Sequence, residues 1–181
     1  MGPLVNLLFY SYRFAGEVLA SKAFSPIRDE AYDIFERLPP IEVGTPLWNE
    51  WRNPKKKKPK ALGFDPDAMN RWLEAEFKNK GWEVHPPIVE GTKLAGDYRR
   101  SRVQIEVQFG NMARWTYDVF KFQICYAQNA IDVGIVAVPV QSFAKYCGSN
   151  VAHYERVLRE LPHAKLSITL PIMVVGFDPQ L

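Results

Sequence analysis

The chain has 181 residues, of which 47% are hydrophobic and 24% are charged, and these values are typical of one soluble domain with a sizeable core. The formal net charge is only +3 at pH 7, which excludes binding to an acidic polymer through overall charge, so such affinity must come from local clusters. No apolar run approaches the roughly 20 residues of a membrane span, and no basic region precedes the apolar stretch 4–10. We therefore expect no signal peptide and no contact with a membrane. Cys125 and Cys147 are isolated, so we expect reduced thiols and a cytoplasmic location.

The first third of the chain predicts helices followed by a long loop. Residues 5–14 and 27–38 carry apolar side chains at helix-like intervals. Residues 41–64 are irregular and rich in Pro and Gly, and they include the basic run Lys55–Lys58. Such a run is typical either of a solvated loop or of a loop that contacts phosphate.

The rest of the chain predicts a core of strands and helices. Asp65 can cap a helix that begins at Pro66 and ends at Gly81. The element order predicts an α/β fold in which a mixed central β-sheet is flanked by helices. We interpret 1–181 as a single domain, with N-terminal helices and a loop at 1–64 and a core at 65–176. The segments after Gly81 are interpreted as strands 82–89, 93–98 and 102–109, helix 112–129, strand 131–140, loop 141–150, helix 151–161 and strand 166–176.

Residues 102–109 alternate between apolar and polar side chains, which is typical of a half-buried strand. If the chain turns tightly at Ser101-Arg102, Asp97 lies opposite Glu106 on the neighbouring strand, with Cβ atoms about 4.5–5.5 Å apart. Two carboxylates at that distance repel each other unless a cation lies between them. The pair therefore indicates either a site for a hard divalent cation, which prefers oxygen ligands, or the solvated outer face of a hairpin.

The spacing of Asp97, Glu106 and Gln108, within this order of elements, resembles the PD-(D/E)xK nuclease core. Specifically, it resembles the BglII-type restriction endonucleases, in which Gln replaces the usual motif Lys. Asn111, three positions after the Gln, adds to the likeness, which covers about 65–176. The resemblance implies a restriction-endonuclease-like core and a Mg²⁺-dependent type II enzyme of the prokaryotic cytoplasm. Such an enzyme hydrolyses both strands of a short palindromic site in duplex DNA, and close relatives suggest a site that contains GATC.

The resemblance also implies roles for individual residues. Asp97, Glu106 and Gln108 would form the catalytic set. Asp97 and Glu106, with the backbone carbonyl of Val107, would bind Mg²⁺, for which Mn²⁺ would substitute. Gln108 is neutral, so it can orient water through hydrogen bonds but supplies no full charge, and more of the electrostatic work falls on the metal. Two glutamates on the preceding helix are either supporting acids or ordinary solvated side chains: Glu74 and Glu76.

Candidates for DNA contact follow from residue type, since Asn, Gln, Arg and Lys side chains read base edges in the major groove. A two-fold homodimer is the simplest way to cut both strands of a palindrome. The alternatives are a catalytically impaired DNA-binding module, a repair or nicking nuclease with the same core, and a small α/β protein with no role on nucleic acid. The residues predicted to contact DNA bases are Asn111, Lys121, Ser149 and Asn150. Arg99 and Arg100 are predicted either to contact phosphates or to be ordinary surface charge.

Overall fold

The computed structural model describes residues 5–55 and 63–180. These residues form one six-stranded sheet with the strand order β1-β6-β5-β4-β3-β2, and helices cover both of its faces. The sheet is mixed, because β4, β5 and β6 are parallel while the outer strands pair antiparallel, as the sequence predicts. The elements are β1 Asn6–Tyr12, α1 Ala15–Ala20, α2 Ser25–Glu36, α3 Pro46–Trp51, α4 Pro66–Asn79, β2 Glu83–Val84, β3 Tyr98–Arg100, β4 Val103–Val107, α5 Arg114–Ala127, β5 Val133–Pro139, α6 Gln141–Cys147, α7 Tyr154–Glu160, a short 3₁₀ helix Leu161–Ala164 and β6 Ile172–Asp178.

Strand β5 forms the centre of the core, and all seven of its residues are buried. Its neighbours β4 and β6 run parallel to it, and an unbroken apolar sequence suits a strand covered on both faces. Helix α5 packs closely on this strand at Gly134, where a Cβ atom would lie 2.6 Å from Cδ2 of Phe122. The glycine therefore lets α5 approach the sheet, which determines where the side chains of α5 stand relative to β4.

The prediction of a helix at 5–14 is wrong. This segment contains strand β1, which pairs antiparallel with β6 in the register Asn6↔Asp178 to Tyr12↔Ile172. Its aromatic residues suit a pleated surface, and the partner strand, which lies more than 150 residues away, overrides the helix-like spacing. The segment before residue 65 therefore contributes an edge strand to the same sheet as the rest of the chain.

Three smaller expectations also need correction. Residues 141–150 are not a simple loop, because α6 occupies 141–147 and buries Phe143 on the core. The irregular stretch 41–64 contains the short helix α3, whose start is capped by Thr45. The last strand is Ile172–Asp178, which begins after Pro171 and is shorter at its start than the predicted 166–176, and it lies between β1 and β5.

Several expectations concern features outside the sheet. Residues 56–58 of the basic run Lys55–Lys58 lie outside the described residues, so its predicted role is not addressed by the structure. Cys125 and Cys147 are free thiols, and both are buried. Among the described residues, no helix has the length and apolar character needed to cross a bilayer.

Candidate active site

The β3–β4 hairpin brings the two predicted acids together. The strands pair in the register Tyr98↔Ile105 to Arg100↔Val103, so the chain reverses at 101–102 as expected. Extending this register by one residue places Asp97, which directly precedes β3, opposite Glu106 within β4. The Asp97 Oδ2 atom also accepts a hydrogen bond of 2.7 Å from the backbone N–H of Val107, which anchors the carboxylate against β4.

The prediction that β4 is half-buried is wrong. All five of its residues are buried, and the side chains of Gln104 and Glu106 are 0% exposed. Helix α5 covers this polar face of the strand, and the polar groups pair with one another beneath it. The Gln104 Nε2 atom donates a hydrogen bond of 2.9 Å to Glu106 Oε1, and the Arg99 guanidinium donates one of 2.8 Å to Gln104 Oε1. Glu106 is therefore a deeply buried acid and not part of a solvated hairpin face.

Helix α5 adds a lysine and a third acid to the pair. The Lys121 ammonium forms an ion pair with Glu106 and another, of 3.0 Å, with Asp118 one turn earlier on the helix. Both α5 side chains are buried, with Asp118 5% exposed and Lys121 7% exposed. Asp118 is not among the site residues predicted from the sequence. The sequence does contain a signal for it, however, because Asp118 and Lys121, at positions i and i+3, lie among the apolar residues that α5 buries.

Gln108 is held at both ends of its amide group. Its Nε2 atom donates a hydrogen bond of 2.9 Å to Asp118 Oδ2, and its Oε1 atom accepts one of 2.7 Å from the backbone N–H of Gly110. These contacts fix which end of the amide faces Asp118. Gln108 therefore positions Asp118, whose other carboxylate oxygen faces Lys121.

A polar cleft of about 640 Å³ opens beside these groups. The backbone N–H of Gln108 donates to Ala137 of β5, so the polar groups of the Val107 backbone face the opposite side, towards Asp97. Glu106 does not contribute to the cleft wall, since Lys121 stands in front of it. The residues that line the cleft are Asn70, Lys93, Leu94, Ala95, Asp97, Val107, Gln108, Arg114, Tyr117, Asp118 and Lys121.

Three carboxyl groups and one ammonium meet in the buried part of the site, those of Asp97, Glu106, Asp118 and Lys121. Burial, followed by the charge of Asp97, raises the pKa of Glu106 to about 8, although Lys121 opposes the shift. Burial also raises the pKa of Asp97, against the lowering effect of the Val107 N–H. Burial alone would lower the pKa of Lys121, but Glu106 and Asp118 outweigh it and raise that pKa to about 12. One ammonium thus faces three carboxyl groups, and a further cation would relieve their repulsion.

The donor set fits a hard divalent cation that keeps part of its water shell. Within the part of the chain that the structure describes, no group of three or more His, Cys, Asp and Glu side chains is arranged to hold a metal ion. Mg²⁺ does not need such a cage, because it commonly binds one or two carboxylates and retains several water molecules. Asp97, Glu106 and the Val107 carbonyl could supply the protein ligands.

The two glutamates of α4 lie outside the cleft. Glu76 forms an ion pair of 2.8 Å with Arg37, and Glu74 lies 3.7 Å from the His85 imidazole. The residue of α4 that reaches the cleft is Asn70, one turn before Glu74. A direct role for either acid stays a prediction.

The two arginines predicted to contact phosphate, Arg99 and Arg100, bind different partners within the chain. Arg99 bonds to Gln104, to the carbonyl of Pro87 and to Cys125 Sγ. Arg100 forms an ion pair with Glu30 and bonds to the carbonyl of Lys80. Both guanidinium groups thus have partners within the chain, and their contact with DNA stays a prediction.

Two predicted DNA-contact segments lie side by side. An isolated β-bridge joins Asn111 to Val151, and the Met112 N–H donates a hydrogen bond of 3.0 Å to the carbonyl of Asn150. The side chains of Asn111, Ser149 and Asn150 are exposed. Asn111 follows Gln108 by three residues, so this exposed polar patch is close to the acids along the chain.

The mixed sheet with its flanking helices has the fold of a restriction endonuclease core, and two solved structures share this fold. The chain aligns with a crystal structure of restriction endonuclease BglII complexed with a DNA 16-mer at a TM-score of 0.75 and 18% identity, covering 97% of this chain and 78% of that one. It aligns with free BglII at a TM-score of 0.66 and 18% identity, covering 97% of this chain and 81% of that one.

A family comparison identifies the chain further. The model of the restriction endonuclease BglII/BglIII family matches residues 7–177, and the chain belongs to this family. None of the curated protein sequences matches it. The family match also covers β1 and the helices before residue 65, so the likeness extends beyond the predicted 65–176.

Proposed function

We propose that this chain is a Mg²⁺-dependent type II restriction endonuclease that hydrolyses both strands of a short palindromic site in duplex DNA. The observation that carries the proposal is the pairing of Asp97 with the buried Glu106 across a β-hairpin beside a polar cleft. Membership of the BglII/BglIII family supports the same activity.

Each part of the site has a task in this reaction. Asp97, Glu106 and the Val107 carbonyl would hold Mg²⁺, and Mn²⁺ would substitute for it. The bound ion would acidify a water molecule and offset charge on the scissile phosphate. Gln108 supplies no charge, but its hydrogen bond to Asp118 keeps that acid turned towards Lys121. Lys93 and Arg114 line the cleft and would attract the phosphate backbone.

Base recognition is proposed for the exposed patch formed by Asn111, Ser149 and Asn150. Asn side chains can bond to two positions of an adenine edge, and Ser can bond to several bases. A GATC-containing target is proposed from the resemblance to BglII-type enzymes. A homodimer is proposed because the acidic site of one subunit would cut one phosphate, whereas a palindrome presents two equivalent phosphates.

Digestion of a sequenced supercoiled plasmid tests the proposed activity. With Mg²⁺ we expect linear fragments whose ends map to one short sequence, cut at symmetric positions in both strands, and no cleavage in EDTA. Nicked circles alone would favour the nicking alternative, while a shift of the DNA without cutting would indicate an impaired binding module. Neither binding nor cutting, for correctly folded protein, would contradict the proposal.

Gly96→Ala is expected to reduce cleavage by about 10- to 100-fold with little loss of fold, since a small misplacement of a reacting group has an effect of this size. A Cβ atom at this position would lie 2.8 Å from both Glu106 Oε1 and Gln104 Nε2, so these side chains must shift. Initial cleavage rates at saturating Mg²⁺ measure the effect. Gly16→Ala is the matched control, because its nearest neighbour would be 3.4 Å away, and its cleavage rate should equal that of the wild type. An unchanged rate in Gly96→Ala would contradict the assignment of Glu106.

A further inference from the structure

Lys121 occupies an unusual position between the cleft and the buried acid Glu106. Its ammonium contacts the Glu106 carboxylate, lies 3.0 Å from Asp118 Oδ1 and lies 3.4 Å from the carbonyl oxygen of Ala95. Its side chain forms part of the cleft wall, whereas Glu106 is 0% exposed and does not reach the cleft. The Glu106 Oε1 atom is already bonded to Gln104, so Oε2 is the oxygen that faces Lys121.

A cation that binds both Asp97 and Glu106 from the cleft must therefore take over the oxygen that Lys121 holds. Two cations cannot share that position without strong repulsion. The lysine has a flexible four-carbon stem and a second partner in Asp118, so it can release Glu106 and remain paired. Gln108 keeps Asp118 in place for this exchange.

From this arrangement we infer that Lys121 is the resident counter-ion of the metal-free site and competes with the divalent cation for Glu106. The inference rests on the proposed function, because it presumes that Asp97 and Glu106 bind metal. It assigns to Lys121 a role inside the acidic site, distinct from the contact with DNA bases predicted from the sequence. Lys121 is a positioning residue in this scheme, since it acts through Glu106.

Mn²⁺ binding to the protein alone, measured by calorimetry without DNA, tests the inference. We expect Lys121→Met to lower the Kd for Mn²⁺ by at least about tenfold, because the competing ammonium is gone. Lys93→Met is the matched control, since it removes the same charge from the cleft wall without touching Glu106. Its Kd for Mn²⁺ should fall by less than about threefold, because the substitution removes only the longer-range, screened repulsion between the lysine and the bound cation. Lys121→Arg keeps a positive charge and should retain a Kd close to that of the wild type.

A purely structural role for Lys121 predicts the opposite result. If Lys121 only held the site together, Lys121→Met would bind Mn²⁺ more weakly than the wild type, and such a result overturns the inference. Equal affinity in Lys121→Met and Lys93→Met also overturns it, while leaving the proposed nuclease intact. If neither the wild type nor any variant binds Mn²⁺, the metal assignment itself fails.

Thermal unfolding in EDTA gives a second readout that does not depend on calorimetry. Lys121→Met should melt below the wild type without metal, because three carboxyl groups lose their one ammonium. Mn²⁺ should then raise the melting temperature of Lys121→Met by more than it raises that of the wild type. If Lys121→Met does not fold, the same comparison is made with Lys121→Gln, for which a smaller Mn²⁺ response than that of the wild type contradicts the inference.

Discussion

Asp97→Asn is expected to lose at least about 1,000-fold in the rate of Mg²⁺-dependent cleavage, since the charge stabilisation from a bound metal is worth several kcal/mol and each 1.36 kcal/mol is about tenfold in rate. The substitution is nearly isosteric and retains an oxygen that can accept the hydrogen bond from the Val107 N–H. It removes the negative charge that would hold the cation opposite Glu106. Initial rates on a plasmid that carries the target site measure the loss.

The fold of Asp97→Asn should survive this change. Burial raises the pKa of Asp97, which shows that the charged form is disfavoured in the folded protein without metal, so its removal should not destabilise the apoprotein. Glu90→Gln removes an exposed carboxylate elsewhere on the chain and should cut at the wild-type rate. Cleavage by Asp97→Asn within about tenfold of the wild type would contradict the metal site.

The elements that could be predicted from the sequence are those whose signals are local. Helix α4 was predicted within two residues at its C-terminal end, because the Asp65 carboxylate accepts from the backbone N–H groups of Asp67 and Ala68 and so caps the helix, as its residue type indicates. The register of the β3–β4 hairpin followed from a short turn. Strand β1 was missed because its partner β6 lies at the other end of the chain, and no local pattern encodes that pairing.

The residues of the candidate site also fall into two groups, those whose positions follow from local spacing and those whose positions depend on packing between distant elements. The opposition of Asp97 and Glu106 depends on one hairpin, so spacing alone could predict it. Asp118 and the burial of Glu106 depend on how α5 packs over β4, and Gly134 permits that packing from a third element. A sequence pattern shows which face of β4 is polar, but it does not show that a helix covers this face. For the same reason, the sequence predicts Lys121 only as a candidate for DNA contact and does not show its partners Glu106 and Asp118.

Glu106→Gln is expected to stabilise the metal-free protein more strongly as the pH rises. The pKa of Glu106 is raised from 4.5 to about 8 in the folded protein, mainly by burial and by Asp97. The folded state therefore binds a proton that the unfolded state releases, and this contribution to stability is complete below pH 4.5 and lost as the pH rises through 8. The amide side chain that Glu106→Gln introduces is neutral at every pH, so the variant escapes this loss.

Urea unfolding in EDTA at about pH 5, 7 and 9, a range that spans the shifted pKa, measures the difference in the free energy of unfolding between Glu106→Gln and the wild type. The difference should grow with pH by at most about 1.4 kcal/mol per unit and level off above pH 8, while Glu90→Gln should give a flat difference. A difference that is flat or falls with pH for Glu106→Gln would show that Lys121 fully neutralises the acid. Because metal binding requires the charged carboxylate, the same variant should also lose Mg²⁺-dependent cleavage, so the acid that weakens the fold without metal is the one the reaction needs.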